Sequence, residues 1–327
     1  MKRLLLAFIV AVALSVLSGL ITIPLLKKLK AGQTVLKYVE EHKGKNGTPT
    51  MGGLFFITSA AVAFLAFGGA RGRVSLVALC IGLGFMLVGF IDDFIKIKFH
   101  RNEGLTALQK IIFQTSIALI AGIYCYLNDL TEFYIPFYGL AVDLGSLTIF
   151  LVAIIFIATT NCVNLTDGLD GLAGGTSAVY LVFISLLIFV QNKGYNNSIS
   201  ENSEVYKLIL LSVFLFGGIV GFLLFNVNKA KVFMGDTGSL SLGGFLAGIS
   251  VFSSNSFFLP ILGVTFVFSG LSVIIQVLYY KKTKKRVFLM APYHHHLQHK
   301  GYTETQIYYL YSFITCIMGV LSVIFYL

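Results

Sequence analysis

Apolar runs of about 17–25 residues, the length needed to cross a bilayer as a helix, recur along the chain between short polar stretches. Ten of them predict membrane-spanning helices, at 4–26, 51–70, 74–91, 106–127, 145–163, 171–190, 207–225, 236–252, 257–280 and 305–326. The eighth has the weakest pattern, being short and rich in Gly and Ser, residues tolerated where helices pack closely in lipid. The first is too long for a signal-peptide core and lacks an obvious small-residue cleavage site, so it reads as a retained helix. The expected fold class is an all-α polytopic membrane protein of about ten transmembrane helices, a single integral membrane domain over residues 1–327.

Composition supports that pattern. The chain is 57% hydrophobic and 12% charged, with mean hydropathy +0.86. A soluble protein of this length could not bury so much apolar surface. The formal net charge is +10. Of the 24 Lys and Arg residues, 18 fall in or beside the 27–49, 92–105, 164–170, 226–235 and 281–304 loops. The 128–144 loop on the other side has Asp129, Glu132 and Asp143 and no basic residue. The positive-inside rule therefore makes the basic side cytoplasmic, with both termini outside, although Lys2 and Arg3 run against it. The loops rich in Gly, Asp, Asn and His all fall on that cytoplasmic side, and the external loops are bland. Cys80, Cys125, Cys162 and Cys316 have neither disulfide nor metal-ligand spacing.

Chemistry concentrates in five stretches. "GFIDDFIK" ends an apolar run with Asp92 and Asp93, and Lys96 lies one turn on, where it can pair with either. A solvated helix end with a local ion pair accounts for these residues; so does a metal ligand or a general base. "NCVNLTDGLDGLAGG" spaces Asn164, Asp167 and Asp170 by three. If helical, they share a face; if the chain turns at Gly168, Asp170 can cap the next helix. "FNVNKAKVFMGDTGSLSLGG" places Asp236 at the start of a span, as a cap or as a ligand, with Asn226 able to bond a ligand and Phe233 able to stack on a base. "GKNGTPTMGG", with Lys45 and Thr50, has the composition of a phosphate-cradling loop without the Walker spacing. "APYHHHLQHKG" carries His294, His295 and His296, which splay around a helix and lack partners for zinc. Phosphate binding or proton transfer suits them better. Converging carboxylates need a cation, and Mg²⁺ prefers oxygen ligands and bridges carboxylate to phosphate. Together these features suggest a membrane enzyme that handles phosphates at the cytoplasmic interface.

With the five motifs in this order from about Lys45 onward, the chain resembles the polyprenyl-phosphate N-acetylhexosamine-1-phosphate transferase superfamily. "APYHHHLQ" together with "GKNGTPTMGG" points to its muramoyl-peptide branch; the branch using UDP-GlcNAc carries a differently spaced histidine segment.

The resemblance implies ten transmembrane helices, a cytoplasm-facing active site in the bacterial inner membrane, Mg²⁺ dependence and a homodimer, with no nucleic-acid partner. The implied reaction transfers phospho-MurNAc-pentapeptide from UDP-MurNAc-pentapeptide to undecaprenyl phosphate, giving lipid I and UMP. By motif, Asp92, Asp93, Asp236 and His294 are the implied catalytic residues, with Asp236 the Mg²⁺ ligand. Asn164, Asp167, Asp170, Phe233 and Gln276 match positions that hold uridine, Phe233 by stacking on uracil. Lys45, Thr50, Asn226, His295 and His296 match diphosphate- and sugar-handling positions, and Lys96 would neutralise charge beside the aspartate pair. Single displacement and a covalent aspartyl intermediate both remain open. The alternatives are a sister transferase using UDP-GlcNAc and, from another class, a transporter, which would place charges near mid-membrane within repeat symmetry.

Overall fold

The computed structural model describes residues 2–29, 47–99, 101, 103–192, 199–227 and 229–326. The helices are α1 (Lys2–Lys28), α2 (Gly53–Ala66), α3 (Arg73–Lys98), α4 (Ala107–Leu127), α5 (Thr148–Thr166), α6 (Leu172–Gln191), α7 (Glu204–Asn226), α8 (Gly235–Phe252), α9 (Leu259–Leu262), α10 (Val264–Thr283), α11 (Tyr293–His299) and α12 (Glu304–Ile324). Among the described residues, eight helices are long and apolar enough to cross a membrane: α1, α3–α7, α10 and α12. The protein is therefore a polytopic helical membrane protein. The other two expected spans are present as helices of different character.

The first is α8, the Gly- and Ser-rich run, which forms the hub of the bundle. Every residue from Thr237 to Phe252 is buried. A helix enclosed by protein needs no lipid-facing apolar surface, and small residues let its neighbours' backbones approach. Gly53 of α2 meets Gly238 backbone to backbone. Ser241 Oγ donates to the Gly82 carbonyl of α3 at 2.9 Å, and Tyr180 of α6 shares a 2.7 Å hydroxyl–hydroxyl bond with Ser250.

The second is α2, which has 14 residues. At 1.5 Å per residue it covers about 21 Å of a hydrocarbon core about 30 Å thick. Residues 49–53 extend it through backbone bonds. Phe233 N–H donates to the Pro49 carbonyl, Gly52 N–H to Phe233 and Gly53 N–H to Met234, at 2.8, 2.8 and 3.0 Å. The segment expected as one span at 257–280 is broken at Gly263 into α9 and α10.

One element departs from the all-helical expectation. The 128–144 loop holds a two-stranded antiparallel hairpin, β1 (Glu132–Ile135) and β2 (Leu140–Asp143), with Glu132 opposite Asp143. Tyr134 N–H bonds the Ser254 carbonyl at 2.9 Å, tying the hairpin to the end of α8. Phe137 and Tyr134 pack edge-on against Phe325 and Tyr326. Arg3 bonds Glu201 and the Phe67 carbonyl, both at 2.6 Å. Both ends of the described chain thus lie at the bundle end opposite the carboxylates described next.

Candidate active site

At the other end, α3, α4, α5 and α8 bring three carboxylates together. Asp92, Asp93 and Asp236 each offer an oxygen, and these atoms lie within 4.8 Å of one another. The α3 backbone reaches α8 here because residue 89 is glycine: a Cβ would collide with the Asp236 carbonyl. Asp92 and Asp93 are buried, at 0% and 2% exposure, while 16% of the Asp236 side chain is open.

Each member of the aspartate pair uses one oxygen structurally. Asp93 Oδ2 accepts the Thr237 N–H at 2.9 Å and the Thr237 hydroxyl at 2.7 Å. It thereby caps the first turn of α8 from another helix, where a carboxylate also suits the helix dipole. Asp92 Oδ1 accepts the Leu105 N–H at 2.7 Å and secures the turn into α4. Asp236, for which capping was one reading, caps nothing: α8 has no side-chain cap of its own. Its oxygens face inward, one accepting from Asn164 Nδ2 at 3.0 Å. The same amide nitrogen lies 2.8 Å from Ser239 Oγ, so Asn164 orients the Asp236 carboxylate.

Two lysines sit among the three carboxylates. Lys96 Nζ is 2.6 Å from Asp92, 3.3 Å from Asp236 and 3.7 Å from Asp93. Lys110 Nζ, from α4, is 2.6 Å from Asp236 and 3.1 Å from Asp92. The sequence pattern marks Lys110 only as one more basic residue just inside a span, so its place in the centre was missed. Three carboxylates and two ammonium groups leave one negative charge in a partly dry pocket. An all-oxygen donor set with residual negative charge fits a hard cation such as Mg²⁺ and does not fit zinc.

The remaining predicted residues surround this centre. Thr50 Oγ1 and Asp93 Oδ2 flank Gly235, where φ is +72° and a Cβ would lie 2.6 and 2.5 Å from them. Phe233 is half-buried beside the 49–52 segment. Asp167 lies in the 167–171 turn. Its burial there, then the charges of Asp236, Asp93 and Asp170, push its carboxyl well above the usual carboxylate range. His294 is fully buried, with its Nε2 against Gly168 and its ring 4.4 Å from that of His295. Lys45 lies outside the described residues.

Other residues expected to bind substrate are bonded to neighbouring loops. Asn226 Oδ1 accepts the Gly171 N–H at 2.9 Å and its Nδ2 donates to the Val232 carbonyl at 2.8 Å. Asp170 accepts from the Ala230 N–H at 2.9 Å, and the N-cap position of α6 is Gly171. Gln276 Oε1 accepts the Val287 and Phe288 N–H groups at 3.1 and 2.9 Å. His296 Nδ1 accepts from Leu289 N–H at 3.1 Å, and His295 Nδ1 pairs with Gln298 at 2.7 Å. Asn226 is thus a clamp between two motifs. Asn226→Leu leaves the Gly171 N–H and Val232 carbonyl unpaired and is expected to destabilise the protein by about 2–4 kcal/mol. Thermal unfolding in detergent checks this; an unchanged Tm would show that the clamp carries no stability.

Comparison with known proteins agrees with this geometry. The profile described as glycosyl transferase family 4 matches residues 75–254, over half of the chain. A signature described as phospho-N-acetylmuramoyl-pentapeptide-transferase signature 1 matches residues 45–57. The chain is 41% identical to a phospho-N-acetylmuramoyl-pentapeptide-transferase of Clostridioides difficile strain 630, over 97% of this chain and 95% of the relative. It is 40% identical to a protein of that name from Thermoanaerobacter sp. strain X514, over 98% of each chain. A third, from Desulfitobacterium hafniense strain DSM 10664 / DCB-2, is 39% identical over 100% of this chain and 98% of the relative.

Proposed function

The chain belongs to the phospho-N-acetylmuramoyl-pentapeptide-transferase family, and from that membership we propose the reaction and the residues that carry it. The protein transfers phospho-MurNAc-pentapeptide from UDP-MurNAc-pentapeptide to undecaprenyl phosphate, forming lipid I and releasing UMP. The observation that supports the chemistry most is the triad of Asp92, Asp93 and Asp236 interleaved with Lys96 and Lys110.

Phosphoryl transfer needs positioning and charge stabilisation more than covalent help from the protein. Asp236, with the Asp92 and Asp93 oxygens that face Lys96, would hold Mg²⁺, which would supply electrostatic stabilisation to the transferring phosphoryl group. Lys96 and Lys110 hold two ammonium groups beside the carboxylates, and each could turn from carboxylate to a phosphate bound there. Asn164 keeps Asp236 aligned. A phosphate monoester already carries about −1.5 to −2 charge near neutrality, so the lipid phosphate needs orientation more than deprotonation. Exposed Phe94 and Leu108, at the same end of α3 and α4, suit a substrate arriving from hydrocarbon. Uridine is assigned to the wall formed by Asn164, Asp167, Asp170, Phe233 and Gln276. The diphosphate and sugar go to Lys45, Thr50, Asn226 and His294 to His296. The bonds already made by Asn226, Gln276 and His296 support a shaping role for those three. The basic residues around the carboxylate end support a cytoplasmic placement for it, and the resemblance supports a homodimer.

Asp93→Asn or Asp92→Asn is expected to lower UMP release at least about a hundredfold, and Lys110→Met by a similar factor, since single donors to developing charge are worth about 10²–10³. Near-normal turnover in any of the three would remove that residue from the centre. The whole assignment is tested by offering purified protein undecaprenyl phosphate, Mg²⁺ and either UDP-MurNAc-pentapeptide or UDP-GlcNAc. UMP from the muramoyl substrate alone, abolished by EDTA, is expected. UMP from UDP-GlcNAc alone would move the protein to the sister branch.

A further inference from the structure

His294, His295 and His296 follow one another on α11, but their surroundings give them different tasks. His294 is fully buried, with its ring against Gly168 in the turn that carries Asp167. The half-buried His295 ring lies 4.4 Å from that of His294, which places it at the rim of the candidate site. The His296 ring packs instead against Tyr293 and Phe288, at 5.3 and 5.7 Å.

A neutral imidazole carries one proton, so the bond made by one ring nitrogen decides what the other offers. For His295 the committed nitrogen is Nδ1, 2.7 Å from Oε1 of Gln298, one turn further along the helix. An amide oxygen only accepts. Nδ1 therefore holds the proton, and Nε2 is an acceptor. For His296 the polarity is reversed. Its Nδ1 accepts the Leu289 N–H at 3.1 Å, so its proton sits on Nε2. Burial, then the positive charges of Lys300 and His299, press the His296 pKa below its ordinary value, in keeping with a ring that stays neutral. Two adjacent histidines are thus held in opposite tautomers by their neighbours.

The tautomer restricts the ligand. Phosphate oxygens are acceptors, and an Nε2 without a proton gives them nothing to bind. It binds an O–H or N–H group. The sugar part of a UDP-linked acylamino sugar offers both, in its hydroxyls and amides. Gln298 is buried, at 8% exposure, so it reaches such a ligand only through His295.

We propose that Gln298 is a positioning residue that fixes the His295 proton on Nδ1, so that His295 Nε2 accepts a hydroxyl or amide N–H of the sugar and not a phosphate oxygen. The ligand rests on this site's binding a UDP-sugar; the tautomer rests on the Gln298 bond alone.

The test uses full-length protein in detergent with isotope-labelled histidine, at a pH of about 8, where an ordinary imidazole is neutral. Nitrogen chemical shifts separate protonated from bare ring nitrogens, and each histidine is assigned by the signal lost on substitution by Asn. The parent is expected to show Nδ1 protonated and Nε2 bare at His295, and the reverse at His296. Gln298→Met removes the acceptor. It is expected to move the His295 proton toward Nε2 and to weaken UDP-MurNAc-pentapeptide binding about fivefold, the worth of one hydrogen bond, with UDP binding unchanged. Gln298→Glu keeps an acceptor in place and is expected to restore both the tautomer and the affinity. Nδ1 bare at His295 in the parent would overturn the proposal without any variant, since the Gln298 amide would then face the other way. Equal losses of UDP and sugar-nucleotide affinity in Gln298→Met would also overturn it, because His295 would then serve the diphosphate. Parental sugar-nucleotide affinity in Gln298→Met would do the same. A parent that binds neither nucleotide would overturn the transferase reading and the ligand with it, while the nitrogen shifts would still decide the role of Gln298.

Discussion

Asp236→Asn is expected to abolish lipid I formation, lowering UMP release by about 10³-fold or more while the protein remains folded. The magnitude follows from how much one carboxylate does. Asp236 is the most open of the three aspartates and accepts from Lys96, Lys110 and Asn164. Asparagine keeps the shape but removes the negative charge that holds both lysines and any divalent cation. Removing a single preorganised electrostatic group typically costs about 10²–10³ in rate. Here the cation site and the alignment of two ammonium groups are lost together, and residues acting as a unit do not contribute additively. The fold is expected to survive, because Asp93, and not Asp236, caps α8. UMP release measures the loss, and the Tm separates it from unfolding. Turnover within tenfold of the parent would remove Asp236 from the chemistry.

Gly89→Ala is expected to lower turnover about a hundredfold, although residue 89 touches no substrate. A Cβ at this position would strike the Asp236 carbonyl, in the backbone of α8. Backbone cannot rotate aside as a flexible side chain can, so α3 and α8 must part. A displacement of about 1 Å between reacting groups costs about 10²-fold, and overpacking adds about 1–3 kcal/mol of destabilisation. Gly84→Ala on the same helix is the control. Its Cβ would sit 3.5 Å from Ile117 Cδ1, an ordinary contact with a movable side chain, and parental activity is expected. UMP release and Tm read both variants. Full activity in Gly89→Ala would show that the close approach of α3 and α8 does not set the geometry of the centre.

The carboxylate–lysine cluster is legible in the sequence where local spacing encodes it. Asp92, Asp93 and Lys96 lie within one turn of α3, and Asp236 sits in a Gly-rich helix start. Lys110 was not legible, because its partners are 18 and 126 residues away and a basic residue at a span end has an ordinary explanation. The inverse holds for Asn226 and Gln276, polar residues whose atoms are consumed by backbone groups of neighbouring loops. Sequence locates such residues at the site but does not distinguish touching a ligand from shaping the wall. The helices were largely legible because lipid imposes a length and a composition on them. The exception, α8, faces protein on all sides, so its small residues weakened the hydropathy signal while marking the tightest packing. The hairpin at 132–143 has too few residues per strand to rise above a polar loop.

The most direct test of the metal–phosphate centre is Mn²⁺ binding by electron paramagnetic resonance, with Mn²⁺ standing in for Mg²⁺, on the parent and on Asp236→Asn, each with UDP-MurNAc-pentapeptide. The account predicts one bound Mn²⁺ per chain in the parent, lost or greatly weakened in the variant and displaced by excess Mg²⁺. Equal Mn²⁺ affinity in the two proteins would place the metal elsewhere and contradict the central role given to Asp92, Asp93 and Asp236.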